Sequence, residues 1–531
     1  MTYSSRLMMI VSLVNFASMG DSGLEQPRNR PSDDVADDDG KAPAETWDDL
    51  AASMIDRLRR LSEQFATSQV TPSATFAFEQ DLNKELREFG RRIVQSTFNR
   101  LEPATNELPK HLRFEDADFT RLNKKTPQNS WSLFGQIRLL RAGYRATDKD
   151  IAEPTIFPLA ICLGLVHGAT PALAERVGRM MAEGGANQLH VLRRLKSEHG
   201  VGWGVPKLRQ VTRAVSQAVT DECQEVQVRK LLELLEQADA SKGRHRPVLS
   251  VGRDGITLGM RCKGGCMFNV ASTATVAVYG RNGKRLGTVY LAQAPELGQD
   301  ALSASLTLLV TETLRRWTGK LPRLCYVTDS GDNETSYYEK VLSKMKDPRD
   351  DRDDKKKKLL KWIRVVDFYH AGERVWSMAR ILFGEGMHGA SWARKMLKWM
   401  LKPGGVYRVL HSAAAFRDLK KLSGKKLAKF ETDYAYLRDR MRFMRYAEYR
   451  AVGIPLGSGV TEAACKTIFT QRLKQSGMTW RHAGAQTILN LRVLLLSGTW
   501  DAAYQRVLAK VAEPKIGGHM EIGQNHERIA A

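Results

Sequence analysis

The sequence predicts an α/β fold behind an all-α N-terminal region, and three observations carry that expectation. The hydrophobic period changes from helical to strand spacing near residue 245. The Asn282-Gly283 step between TATVAVYG and RLGTVYLA is the strongest short hairpin signal a sequence can offer. Beyond it, helix and strand patterns alternate: DALSASLTLLVTETLRRW, LCYVTD, ETSYYEKVLSKM and WIRVVDFYH. With RPVLSVGRD as the first strand, the order is β-β-β-α-β-α-β, a meander followed by alternating layers.

The elements follow in order. The chain has 531 residues, enough for about two to four domains. Residues 1–45 read as a disordered leader, rich in Asp, Pro and Gly. Arg6 followed by LMMIVSLVNFA imitates a signal peptide, but scattered free thiols and a nucleic-acid partner argue for the cytoplasm, on the nucleoid. No run of eighteen apolar residues predicts a membrane span. Residues 46–155 are helical at first, in MIDRLRRLSEQF and FEQDLNKELREFGRRIVQSTFNRL, with a small hairpin across SLFGQIRLLRAGYRA. Residues 156–240 hold a helix, a turn through GWGVP and a second helix with Lys207, Arg209 and Arg213 near its start. That pattern fits a helix-turn-helix that reads DNA, and equally an ordinary packed helical hairpin.

Residues 245–370 form the first part of the α/β core, and KDPRDDRDDKKKK within it reads as a solvated loop. Residues 371–455 are a basic helical insertion. Residues 456–500 return to the core with a helix from about Val460 to Lys474 and a further apolar helix, and 501–531 read as a tail. A net charge of +23 points to nucleic acid before an anionic membrane. The six cysteines give no disulfide framework, and Cys262 and Cys266 lack the two further ligands a zinc site needs.

Three acids stand at element ends. Asp254 ends or interrupts the first strand, Asp329 ends LCYVTD, and Glu462 opens the helix after GIPLGSG. Functional groups in open α/β sheets collect at the carboxyl ends of strands. Acids in these places on a β-β-β-α-β-α-β unit are the arrangement of the ribonuclease H-like fold. Such carboxylates suit two Mg2+ ions, for which Mn2+ can substitute, since a hard cation wants oxygen ligands. A helical side chain leans toward the N-terminus, so Glu462 faces back to the loop and the sheet edge. Gly457, Gly459, Ala463 and Ala464 leave room for a backbone or phosphate to come close. Asp332 is the rival of Asp329, and its place before ETSYYEKVL assigns it helix capping. Asp367 and His370, in DFYH after the last strand, are accessory candidates.

The stretch GIPLGSGVTEAACKTIFTQRLKQSGMTWRHAGAQTILNLRV resembles the signature of the ISKra4 family of bacterial insertion-sequence transposases. YVTDSGDNETSYYEKVL, VVDFYHAGERVW and FPLAICLGLVHGATPALAER extend the resemblance over roughly residues 130–505. It implies a DDE transposase with a helical insertion ahead of the glutamate, acting on element ends and target as double-stranded DNA, as a homodimer. Asp254, Asp329 and Glu462 would be the catalytic, metal-holding acids, and DFYH would be a DxxH element. Lys466, Arg472 and Lys474, on or near the glutamate helix, would hold phosphates. A structure-selective nuclease on the same fold and a non-catalytic DNA-binding regulator are the rival expectations.

Overall fold

The computed structural model describes residues 46–114, 117–148, 155–511 and 516–517. The leader expected over 1–45 lies outside them. Two compact units divide the described residues: those up to 181, 186–218 and from 504 make the first, and those of 182–185 and 219–503 the second.

In the first unit, helix α1 (Trp47–Thr67) begins at a capping box. The Thr46 hydroxyl accepts from the Asp49 amide at 3.2 Å and the Asp49 carboxylate accepts from the Thr46 amide at 3.1 Å. Helix α2 (Pro72–Arg100) starts on a Thr71 cap with proline at its first position, where the missing N–H costs nothing. Strands β1 (His111–Phe114) and β2 (Ala117–Arg121), which the sequence did not announce, are too short for alternation to be recognised. The hairpin expected over 132–146 begins earlier, as β3 (Thr126–Ser132) and β4 (Gly135–Arg141). Side chains of α2 cover the free edge of β4: Gln95 Oε1 accepts from the Arg138 amide at 2.8 Å and Asn99 Oδ1 from the Leu140 amide at 3.0 Å. Strand β5 (Tyr144–Ala146) pairs with β2, and Ile516–Gly517 pairs with β1. Helices α3 (Pro158–Cys162), α4 (Pro171–Ala182) and α5 (Gln188–His199) follow, the last stopped by Gly200 at φ +66°. Helix α6 (Val205–Ala240) has 36 residues, and those from 219 onward belong to the second unit.

The second unit is built on a five-stranded mixed sheet. Strands β6 (Val248–Cys262), β7 (Gly265–Tyr279) and β8 (Arg285–Gln293) form the antiparallel meander. Helix α7 (Asp300–Arg316) leads to β9 (Arg323–Thr328), which lies parallel to β6. Helix α8 (Asp332–Lys340) then leads to β10 (Trp362–Val366), parallel to β9. The spatial order is β8-β7-β6-β9-β10. Strand alternation sorts the side chains: Leu249, Val251, Leu324 and Tyr326 join α7 and the end of α6 in one core. Val248, Cys325, Val327 and Val365 join the following helices in the other. The chain is therefore a mixed α/β protein, as the patterning predicts.

The first strand departs from expectation. It does not end at Asp254-Gly255 but runs on to Cys262, paired with β7 along its whole length. A register of Cys262 to Gly265 and Arg261 to Cys266 puts the two thiols on opposite faces of the hairpin, so they cannot share a metal. The charged loop pairs with itself, Arg349 with Asp347 and Arg352 with Asp350.

The insertion comprises α9 (Phe368–Phe383), α10 (Met387–Met400), α11 (Gly405–Leu419), α12 (Gly424–Arg440) and α13 (Tyr446–Ala451). The glutamate helix α14 (Gly459–Cys465) is shorter than expected and runs into a π-turn over Lys466–Thr470. Arg492, buried on α15 (His482–Leu496), accounts for it. Its guanidinium donates twice to the Thr467 carbonyl, drawing that oxygen out of the helical ladder. The tail expected from 501 opens as helix α16 (Trp500–Val511), and residues 512–515 and 518–531 lie outside the described set. No helix among the described residues is long and apolar enough to cross a membrane.

Candidate active site

Asp254, in the middle of β6, is brought to α14 by a missing side chain. A Cβ on Gly252 would stand 2.1 Å from the Thr461 hydroxyl, so only glycine lets the helix lie this close to the strand. Thr461 also bonds Thr275 of β7, Oγ1 to Oγ1 at 2.8 Å, in a buried contact. Glu462 follows Thr461 directly and Cys465 comes a turn later, so the acid and the thiol arrive over Asp254 together. The Gly252→Ala variant is expected to lose about 1–3 kcal/mol of stability, read by thermal melting.

Asp329 stands one residue past β9. Its Oδ1 accepts from the Gly331 amide at 3.1 Å, and its carbonyl accepts from the Tyr436 hydroxyl of α12 at 2.6 Å. Ser330 beside it is held at φ +64°, a conformation a non-glycine residue adopts only where its surroundings enforce it. Asp332 does not cap α8. Gly331 is the N-cap, no side-chain cap bond forms, and Asp332 is an exposed residue of the first turn that complements the helix dipole.

The three acids act on one another. Burial pushes the Asp254 carboxyl above its ordinary value, and the charges of Asp329 and Glu462 push it further. Hydrogen bonds from the Gly255 amide, at 2.7 Å, and from the Cys465 thiol oppose that rise. Among the described residues, none of the three acids has an ion-pair partner. Sequence reasoning missed a fourth carboxylate: Glu334 of α8, only 8% exposed. Burial raises its pKa first, and Asp329 and Asp254 raise it further, with Arg253 opposing. Buried Arg253 is fixed by Gln299 Oε1 at 2.8 Å and Ser303 Oγ at 3.0 Å, over the Tyr337 ring. Nothing in the local pattern of ETSYYEKVL separates Glu334 from a solvated helical acid.

The accessory pair resolves differently. Asp367 is completely buried and caps α9, its Oδ1 accepting from the amides of Tyr369 at 2.5 Å and His370 at 2.9 Å. Its Oδ2 accepts from the Ser458 amide and from the Ser458 hydroxyl, the latter at 2.6 Å. Ser458 Oγ also lies 2.9 Å from Glu462 Oε1. Asp367, His370 and Glu462 offer ligand atoms within 4.8 Å of one another, and among the described residues this is the one group of three that does so. Asp254 and Asp329 stand outside it. Asp367 accepts from three backbone amides and competes with Glu462 for the single Ser458 hydroxyl proton, so it anchors the loop. Asp254, Asp329 and Glu462 do not form such a group of three, but they lie near enough for the charges of the other two to raise the Asp254 pKa. Gly457 gives its space to the Tyr369 ring, 2.9 Å from where a Cβ would be; beside Gly459 the space is open.

The basic candidates separate by burial. Lys466 and Lys474 are exposed, but Arg472 is 1% exposed beneath the Trp480 ring, and burial lowers its pKa to about 10. It is a core residue and no phosphate contact. In the first unit, Arg209 and Arg213 lie one turn apart and exposed, with Arg209 bonded to Gln188 at 3.0 Å. Lys207 is turned away from that face and half-buried, which lowers its pKa. The three do not make one recognition surface.

No model of a known protein family matches the chain, and no curated protein does either. The functional reading therefore stands on the residues themselves.

Proposed function

We propose that the chain is a DDE transposase of the ISKra4 kind, with a ribonuclease H-like core, which cleaves and joins DNA strands at the ends of a mobile element. One observation supports the reading: Asp329 and Glu462, far from Asp254 in sequence, stand near enough for their charges to raise its pKa, and among the described residues none of the three forms an ion pair. The sheet order, with an antiparallel meander beside two parallel strands, supports the core assignment.

In this reading Asp254, Asp329 and Glu462 would hold two Mg2+ ions, whose chemistry would be to activate the attacking oxygen and stabilise the leaving one. The chain's own part is positioning. Gly252 and Thr461 seat the glutamate helix, Asp367 and Ser458 fix the loop before it, and Tyr436 holds the turn carrying Asp329. Lys466, Lys474, Arg209 and Arg213 grip phosphates without reading sequence. The protein acts as a homodimer bridging two element ends, in the cytoplasm on the nucleoid.

The test is an incubation with labelled element ends, Mg2+ and a target plasmid. Joined product is the expected result. Nicks without joining would make the protein a nuclease, and a mobility shift without products would make it a regulator.

A further inference from the structure

The helical insertion holds a feature that catalysis does not use. Residues 371–455 carry eighteen Lys and Arg against seven Asp and Glu, a net +11 of the chain's +23. Most of those acids are spent on other arginines: Glu431 and Asp418 on Arg417, Asp433 on Arg374, Asp439 on Arg438 and Glu448 on Arg445. Three of the cations they leave bare gather around one cavity of about 340 Å³, lined by Ser377, Arg380, Ile381, Gly384, Lys426 and Lys429.

Arg380 comes from the last turn of α9, and Lys426 and Lys429 come from one face of α12, three residues apart. No carboxylate lines the cavity. Among the described residues none of the three cations forms an ion pair, and all three are exposed. Their placement works against the fold. Helix α12 has no acid in its first turn and carries Lys425 and Lys426 there, at the positive end of its dipole. Like charges gathered around one hollow are repelled until an anion enters.

We infer that this cavity seats phosphodiester groups of the duplex DNA backbone. The inference rests on the reading that the chain binds DNA, and is independent of whether it cuts. The experiment compares the full chain with its R380A/K426A/K429A variant, in EDTA, on a duplex of arbitrary sequence over a range of salt. Each lost phosphate contact flattens the slope of log K against log salt by about 0.9, so a slope shallower by roughly 2–3 is expected. R380K should keep the slope. An unchanged slope in the triple variant, with its melting temperature intact, overturns the inference. So does a variant that loses binding of inorganic phosphate while its DNA slope is unchanged, which would make the cavity a small-anion site. If the wild-type chain shows no salt-dependent DNA binding, the underlying reading falls, and this one with it.

Discussion

Asp254→Asn is expected to cut strand cleavage by about 10³-fold or more, to leave DNA affinity nearly unchanged, and to stabilise the metal-free protein at neutral pH. Under the proposed function, the first effect follows from removing one ligand of the charge-stabilising site, which would supply several kcal/mol at the transition state; about 4 kcal/mol is 10³-fold in rate. The second follows because phosphate contacts lie elsewhere. The third is a linkage effect. The folded-state pKa of Asp254 is raised, so the folded chain holds that proton longer than the unfolded chain does. Stability from this group is thus fully present in acid and falls as pH climbs from the ordinary carboxylate value through the raised one. Asparagine carries no charge to repel Asp329 and Glu462. Its melting temperature in EDTA should exceed the wild type's at pH 7, with the gap closing toward pH 4. A variant that cleaves normally, or melts lower at pH 7, contradicts the placement of Asp254 among the acids.

Asp367→Ala should be the most damaging substitution for the fold of this region. It strips the acceptor from the amides of Tyr369, His370 and Ser458 and from the Ser458 hydroxyl, inside a fully buried site. Orphaned buried donors cost about 1–3 kcal/mol each, so even with partial relaxation the loss is about 3 kcal/mol or more. Denaturant melts read the stability, and hydrogen exchange over 456–462 reads the loop. Faster exchange there, with cleavage lost in proportion, is the expected pattern. Normal stability and a quiet loop alongside lost divalent-ion binding would instead make Asp367 a metal ligand. Asparagine at this position keeps one acceptor oxygen and should restore part of the stability.

These two residues also mark what the sequence makes legible. The mixed α/β layers could be read because strand and helix periods alternate cleanly after residue 245. Asp254, Asp329 and Glu462 each stand at a recognisable place in the sequence, although Asp254-Gly255 looked like a strand's end and proved to be its middle. The register of a long hairpin is decided by cross-strand partners, which local turn signals do not contain. Asp367 could be seen but its task could not, because Ser458 is ninety-one positions away. Gly252 and Glu334 gave no signal, since one matters through a neighbour it lacks and the other through burial. Arg472 was placed by its nearness to the glutamate helix, but that helix ends at Cys465 and the turn after it carries Arg472 into the core.

One side chain, Asp367, both begins the first helix of the basic insertion and tethers the serine beside the glutamate. The insertion and the reactive end are therefore hinged on a common pin. A load that tilts α9 by even a fraction of an ångström is relayed through Ser458, whose amide Asp367 holds and whose hydroxyl reaches Glu462, with no soft linker to absorb it.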